Sequence, residues 1–336
     1  GMGFFLSKKF DTMQDAYAYE EYGNHADVLK KVSIPIPTIG ENEVLIKISA
    51  SAINPVDFKI MEGYIRAWPQ SFPIVPGWDV SGVIEQSNSS DFNIGDEVFA
   101  YTRPAWDLSD AHPECSSESI GTLDGTHSSY IALKSWKVAK KPSTLTLEEA
   151  AAIPLAALTA YQALHDKGNI KKDQTVLILA ASGGVGSYAV GFAKAAGATV
   201  IGTCSARNFD YVKNLGADDV RDYNVDGYLD DIDADLVFDC AGGKSTLDGL
   251  ARLKENGKIV SIVTFDIADV AKKQNRDGEA FLVNPSGDNL RTIGNLIDEG
   301  KVKFPQIKVL NFDEIQQAFS DIKSSRTVGK IVLKRN

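Results

Sequence analysis

Between residues 175 and 263 the apolar positions cluster in short unbroken runs separated by glycines and by small-residue or amphipathic stretches. Thr175-Val176-Leu177-Ile178-Leu179 leads through Ala180 and Ala181 into Ser182-Gly183-Gly184-Val185-Gly186, and a small-residue stretch follows over 187–194. A run of that length, rich in branched residues, predicts a strand buried on both faces of a parallel sheet. Further strands are predicted at 199–203, 235–240 and 257–263, with a helix over 245–253. Gly197 stands where a left-handed residue caps the first helix. Strands and helices in this alternation predict an α/β doubly wound sheet.

The first 140 residues follow a different rhythm. Residues 44–50 and 80–85 alternate apolar with polar, 93–100 reads as a turn feeding a strand, and Pro35, Pro37, Pro55, Pro73 and Pro76 punctuate the connections. Residues 103–126 are polar and aperiodic, the pattern of a long surface loop that is either a lid or a disordered excursion. Thr146 with Glu149 spells a capping box, and 148–164 reads as a helix kinked or broken at Pro154. Past the parallel sheet, helices are predicted over 289–299 and 312–322 and a last strand over 330–333. The expected domains are 1–140, with 285–336 returning to it, and 141–284.

The glycine segment carries the first chemical signal. Gly183, Gly184 and Gly186 allow a tight turn and close approach of backbone to a diphosphate, whose charge then meets the N–H groups opening the next helix. The spacing is A-x-x-G-x-x-G from Ala180, and the strand–turn–helix–strand context supports a dinucleotide site. An NAD-binding unit usually carries an acid about 20 residues past the glycines. Here the second strand ends in Cys204-Ser205-Ala206-Arg207-Asn208. Ser205 can donate to a 2′-phosphate and Arg207 can clamp it, so NADPH is the expected cofactor. Arg207 as a solvated helix-start residue is the alternative.

With 336 residues the chain has room for two cores, and a formal charge of −10 argues against a nucleic-acid surface. Cys115, Cys204 and Cys240 have no metal-site or disulfide spacing, which suits a reducing compartment. No apolar stretch approaches a bilayer span, and no signal core precedes a cleavage site, so a cytoplasmic protein without membrane contacts is expected. Gly1 ahead of Met2 reads as an expression scar.

Several ordered motifs then add up to a family. Ala52-Ile53-Asn54-Pro55-Val56-Asp57-Phe58-Lys59, the run 72–83 around Pro76-Gly77-Trp78-Asp79, Gly95-Asp96-Glu97-Val98, the run 151–161, the glycine segment, 215–220 and Gly329-Lys330-Ile331-Val332-Leu333 resemble the medium-chain dehydrogenase/reductases. The likeness is to their zinc-free quinone oxidoreductase branch, with zeta-crystallin and plant enone oxidoreductases. It implies a GroES-like β-barrel domain beside a Rossmann dinucleotide domain, with the active site in the cleft between them. Zinc-dependent relatives place Cys where this chain has Asn54, and a His-Glu pair where it has Trp78-Asp79. Asn54 and Trp78 cannot serve as such ligands, so no metal is expected.

The resemblance implies an NADPH-dependent oxidoreductase passing hydride to quinones or α,β-unsaturated carbonyls. Asn54 would lie by the nicotinamide and substrate carbonyl, Lys59 where some relatives place a proton donor, and Tyr64 on the same wall. Asn54 as a turn residue, Lys59 as a solvated one and Tyr64 as packing are the bland alternatives. Asp57 is expected to hold local backbone. Ser182, Gly183, Gly184, Val185 and Gly186 would surround the diphosphate, and Ser205 and Arg207 the 2′-phosphate, with Cys204 also among the cofactor-binding residues. Tyr223 would lie near adenosine, Thr159 near the nicotinamide, and Cys240, Ala241, Val263 and Thr264 at strand ends. Lys330 is left between the 2′-phosphate and a purely structural place. Relatives are often dimers, so a homodimer is expected by analogy. An enoyl-thioester reductase and a non-catalytic NADPH-binding sensor are the alternative functions.

Overall fold

The computed structural model describes residues 12–65, 71–103, 123–324 and 329–336. Most of the loop expected at 103–126, with Cys115, therefore lies outside the described residues. The chain divides into two compact units, one of Gly1–Leu155, Pro285–Gly294 and Gln306–Asn336, the other of Ala156–Asn284 and Asn295–Pro305.

The first unit begins with strands β1 (Met13–Ala18), β2 (Lys30–Pro35), β3 (Glu43–Ala52), β4 (Asp79–Ser87), β5 (Glu97–Tyr101), β6 (Tyr130–Lys134) and β7 (Val138–Lys140). β1 and β2 pair with each other, antiparallel. The alternation expected for 44–50 is blunted, since Val44, Leu45, Ile46, Ile48 and Ala50 are all buried. Past the boundary expected at 140, residues up to Leu155 stay with this unit. The Ser81 hydroxyl donates to the Leu147 carbonyl, and the Leu155 N–H donates to Asp79 Oδ1 at 2.7 Å. Thr146 and Glu149 form the expected reciprocal cap, at 3.0 and 3.1 Å. The helix expected over 148–164, kinked or broken at Pro154, is broken there into Leu147–Ala151 and Pro154–Gln162, followed by a π-turn over Ala163–Lys167. Pro154 has no N–H to continue the first helix and suits the first turn of the second.

The second unit holds β8 (Thr175–Leu179), β9 (Thr199–Cys204), β10 (Asp219–Asp222), β11 (Ala234–Asp239), β12 (Leu253–Ser261) and β13 (Asp277–Ala280). Their order is β10-β9-β8-β11-β12-β13, every pairing parallel. This is the doubly wound sheet the apolar runs predicted. Its core packs Leu177, Leu179, Val237, Leu250, Ile259 and Ile267 together. The helix expected over 245–253 runs instead from Gly243 to Leu250, and β12 starts early at Leu253. The Arg252 carbonyl already accepts from Ala234 N at 2.9 Å, so strand pairing overrides helical continuation there.

The chain then returns to the first unit with β14 (Ile307–Asn311) and β15 (Lys330–Lys334). The large sheet of that unit has the order β14-β15-β3-β4-β5-β7, with β6 also on β3. No helix among the described residues is long and apolar enough to cross a membrane.

Candidate active site

Sheet register assembles a polar cluster in the first unit. β15 and β4 flank β3 on opposite sides, with Val332 facing Ala52 and Ala52 facing Asp79. The ladder runs one step further, Ile53 N donating to the Ile331 carbonyl at 2.9 Å. The next antiparallel pair would be Asn54 and Lys330. Chain direction thus brings Asn54, Lys330 and Asp79 together although they are far apart in sequence.

Asn54 is 2% exposed and precedes the helix Pro55–Met61, in the extended conformation that a following proline favours. Its Nδ2 donates to Asp79 Oδ2 at 3.0 Å, and its Oδ1 accepts from the Lys330 ammonium. Its backbone N–H donates to Asp57 Oδ2 at 3.1 Å, while Asp57 Oδ1 accepts from Gly77 N at 3.0 Å. Asp57 therefore ties the Asn54 turn to the segment before β4. Burial pushes its pKa up to about 6, against those two N–H donors and the Arg103 cation. Burial raises Asp79 too, opposed first by Lys330 and then by Asn54 and the Leu155 N–H. The Lys330 ammonium is pushed down by burial and held up by Asp79 and Asp57.

Trp78 is buried beside Tyr101, ring centroids 6.0 Å apart, with the Arg103 guanidinium 5.6 Å from its ring. Lys59, in the last turn of Pro55–Met61, is exposed, and Tyr64 is 76% exposed. The Tyr64 N–H donates to the Lys59 carbonyl at 2.9 Å. Neither side chain joins the Asn54 cluster.

In the second unit the cofactor candidates gather at the carboxyl ends of the parallel strands. β9 and β10 lie on one side of β8 and β11 on the other, which is the switch in direction where such sheets bind ligands. After β8, Ala180 takes φ +63, a left-handed conformation that costs a residue with a side chain about 1–2 kcal/mol. Its N–H donates to Thr203 Oγ1 at 3.1 Å, which helps hold it there. The helix Gly184–Ala195 begins at once, and its first N–H groups have no partner within the helix.

The three glycines serve different ends. A Cβ on Gly186 would sit 2.1 Å from the Ala180 carbonyl oxygen, so the fold itself requires glycine. A Cβ on Gly184 would meet nothing within 4 Å, and one on Gly183 only an ordinary contact at 3.4 Å. Both are exposed, with space before a helix N-terminus that a diphosphate fits. Ser182 and Val185 flank them, partly buried.

At the end of β9, Cys204 is buried, and its thiol is raised by burial and by Asp222. Ser205 Oγ lies 3.1 Å from the hydroxyl of Tyr223, which is 44% exposed. Arg207 is exposed, and no acid among the described residues pairs with it. Thr159 is buried in the helix Pro154–Gln162.

Asp239, the last residue of β11, is a hub absent from the sequence reading. Its Oδ1 accepts from Ala241 N and Gly242 N, both at 3.0 Å. Its Oδ2 accepts from Thr246 at 2.7 Å, Ser261 at 2.8 Å and Thr264 at 3.0 Å. One buried carboxylate thus fixes the turns carrying Cys240, Ala241, Val263 and Thr264. The acid at the end of Leu236-Val237-Phe238-Asp239, with Ser and Thr at the end of the next strand, was the signal available. Nothing local to Lys330 in the sequence points to Asn54.

Residues 40–143 match the family described as Alcohol dehydrogenase GroES-like domain, and residues 215–333 the family described as Zinc-binding dehydrogenase. A chloroplast envelope quinone oxidoreductase homolog of Arabidopsis thaliana is 34% identical, covering 96% of this chain and 98% of that protein. The NADPH-dependent alkenal/one oxidoreductase of Arabidopsis thaliana chloroplasts is also 34% identical, over 95% of this chain and 78% of its own length. Among solved structures, the quinone oxidoreductase from Coxiella burnetii is 30% identical with a TM-score of 0.82, covering 96% of this chain and 99% of that one.

Proposed function

Since this chain belongs to the quinone and enone oxidoreductase group of the medium-chain dehydrogenase/reductases, we propose that it reduces quinones or α,β-unsaturated carbonyls with NADPH and without zinc. The observation that carries this is the commitment of Asn54 and Asp79. Asn54 is bonded through both ends of its amide, and both Asp79 oxygens already accept N–H groups. An amide so engaged, next to a buried indole, is no donor set for catalytic zinc.

Without a Lewis acid the acceptor must already be activated. A conjugated carbonyl or quinone is, because the incoming charge delocalises onto oxygen. NADPH bound at the strand ends supplies the hydride. The chain's part is to orient the acceptor and to present a donor to the developing enolate oxygen. Asn54 is that donor in our reading, and Lys59 and Tyr64, both exposed, are left as candidates for the proton that follows.

Preference for NADPH is supported by Ser205 and Tyr223, and by Arg207 just beyond β9, with which no acid among the described residues pairs. Cys204 and Cys240 are free thiols, in keeping with a reducing compartment. The cytoplasm remains our expectation, to be set against the chloroplasts named for the plant relatives by locating tagged protein in cells. A homodimer is part of the same proposal, tested by sedimentation.

The deciding experiment is oxidation of NADPH and NADH with 1,4-benzoquinone, 9,10-phenanthrenequinone, a 2-alkenal, a cyclic enone and a simple aldehyde, with and without chelator. Turnover of conjugated acceptors alone, faster with NADPH and insensitive to chelator, is expected. Aldehyde reduction abolished by chelator and restored by zinc would overturn the proposal.

A further inference from the structure

We infer that Lys330 is the positioning residue of Asn54: ammonium on one end of the amide and carboxylate on the other leave a single N–H for the acceptor oxygen. This rests on the hydride-transfer reading above and adds to it the group that sets the donor's orientation.

The chemistry of the partners decides which way the amide lies. A carboxylate only accepts and an ammonium only donates. Asp79 Oδ2 therefore faces the NH2 end of Asn54, and Lys330 faces its carbonyl. Turning the amide over would set oxygen against carboxylate and NH2 against ammonium, two repulsive contacts in place of two charge-assisted bonds. Asp79 cannot drift, because it is fully buried and its other oxygen is held by Leu155 N at 2.7 Å. The Asn54 backbone is pinned as well, its N–H on Asp57 Oδ2 and its carbonyl accepting from Asp57 N at 3.0 Å.

An amide nitrogen carries two protons. Asp79 takes one, and the other has no acceptor among the described residues. Asn54 is thereby reduced to one outgoing donor whose direction two charges and two backbone bonds fix in advance. Preorganised donors of this kind need no reorganisation as charge develops. Lys330 serves here by holding the carbonyl end, and it does not touch the acceptor.

The test is a double-mutant cycle of Asn54→Ala and Lys330→Met, read as kcat and KM for whichever panel acceptor the wild type reduces, beside NADPH affinity by fluorescence titration. Lys330→Met is expected to lower kcat roughly tenfold or more, short of the 10²–10³ lost with a direct donor. NADPH affinity is expected to stay within about twofold. In the Asn54→Ala background the same change is expected to cost less than about threefold, and Lys330→Arg to recover most of kcat. Additive losses would overturn the inference, as would a loss confined to NADPH affinity, which would place Lys330 on a phosphate. If Lys330→Met fails to fold with Asp79 unpaired, Asp79→Asn with Lys330→Met removes both charges. Wild-type kcat retained in that folded pair would overturn the inference too. A wild-type chain inactive on the whole panel overturns the hydride-transfer reading first, before any variant is compared.

Discussion

Lys330 donates its ammonium to the side-chain carbonyl of Asn54 across 276 residues of sequence. The contact exists because β15 and β4 flank β3, so the first residue of β15 closes on the second residue past β3. It makes Asn54 a part of the sheet's hydrogen-bonded framework as well as the candidate donor.

Asn54→Ala should therefore have two effects. Turnover of an enone or quinone is expected to fall about 10²–10³-fold, as for loss of one oxyanion donor. Stability should fall by about 1–3 kcal/mol, because Asp79 loses a partner while fully buried and Lys330 loses one while partly buried. Steady-state kinetics beside a urea melt separate the two. Unchanged kcat in a folded variant would remove Asn54 from the reaction.

Gly184 and Gly186 should part company when each becomes alanine. Gly184→Ala meets open space, so stability should hold or rise by up to about 1 kcal/mol, while NADPH affinity drops at least tenfold. Gly186→Ala drives a Cβ into the Ala180 carbonyl and should lose about 1–3 kcal/mol of stability. Calorimetry with and without NADPH reads both. Full NADPH affinity in Gly184→Ala would mean that no diphosphate lies over that glycine.

If Arg207 holds a 2′-phosphate, as proposed, Arg207→Ala removes a charge-assisted bond to it. NADPH is expected to bind about 10–100-fold more weakly, with NADH unchanged. An equal ratio of the two affinities in wild type and variant would leave Arg207 as a solvated side chain.

His127 gives a pH signature in the first unit. It is fully buried, its Nδ1 is 2.9 Å from Ser51 Oγ, and burial, Arg335 and Arg103 push its pKa well below the usual value. The folded chain thus refuses a proton that the unfolded chain accepts below about pH 6.5. Stability is complete above that pH and should decline as pH falls through it, by up to about 1.4 kcal/mol per unit from this ring. His127→Asn, which keeps an amide for Ser51, should flatten urea midpoints between pH 7 and 5. His165, also lowered by burial, stays in both proteins and cancels. Parallel profiles for the two proteins would sink the assignment.

What the sequence disclosed was what neighbouring residues decide. The β8–glycine–helix segment was legible because strand, turn and helix follow within a few residues, and the Thr146–Glu149 cap because both partners lie in one turn. Asn54 could be singled out by its motif. Its partners could not, since Asp79 and Lys330 reach it only through sheet register. Asp239 is not legible for a similar reason: three of its five donors come from side chains on a helix, at the end of the next strand and just beyond it. A helix boundary failed where tertiary pairing intervened, at Leu253, whereas the break at Pro154 was legible because proline has no N–H to continue a helix. Lys59 and Tyr64, taken from family position, face solvent, which spacing alone does not reveal.

The return of β15 into the first unit also has a temporal side. Every residue of the second unit has been translated once the ribosome passes Pro305, whereas β15 is not made until residues 330–334. Ile331 and Leu333 belong to a core with Tyr19, Ile53 and Phe319, and β3 pairs with Val332, Leu333 and Lys334. A nascent chain can thus finish its second unit while the first, though begun earlier, still lacks the strand that lies between β14 and β3. Vectorial synthesis usually completes the N-terminal domain first; here the segment that delivers Lys330 to Asn54 emerges only after every residue of the second unit.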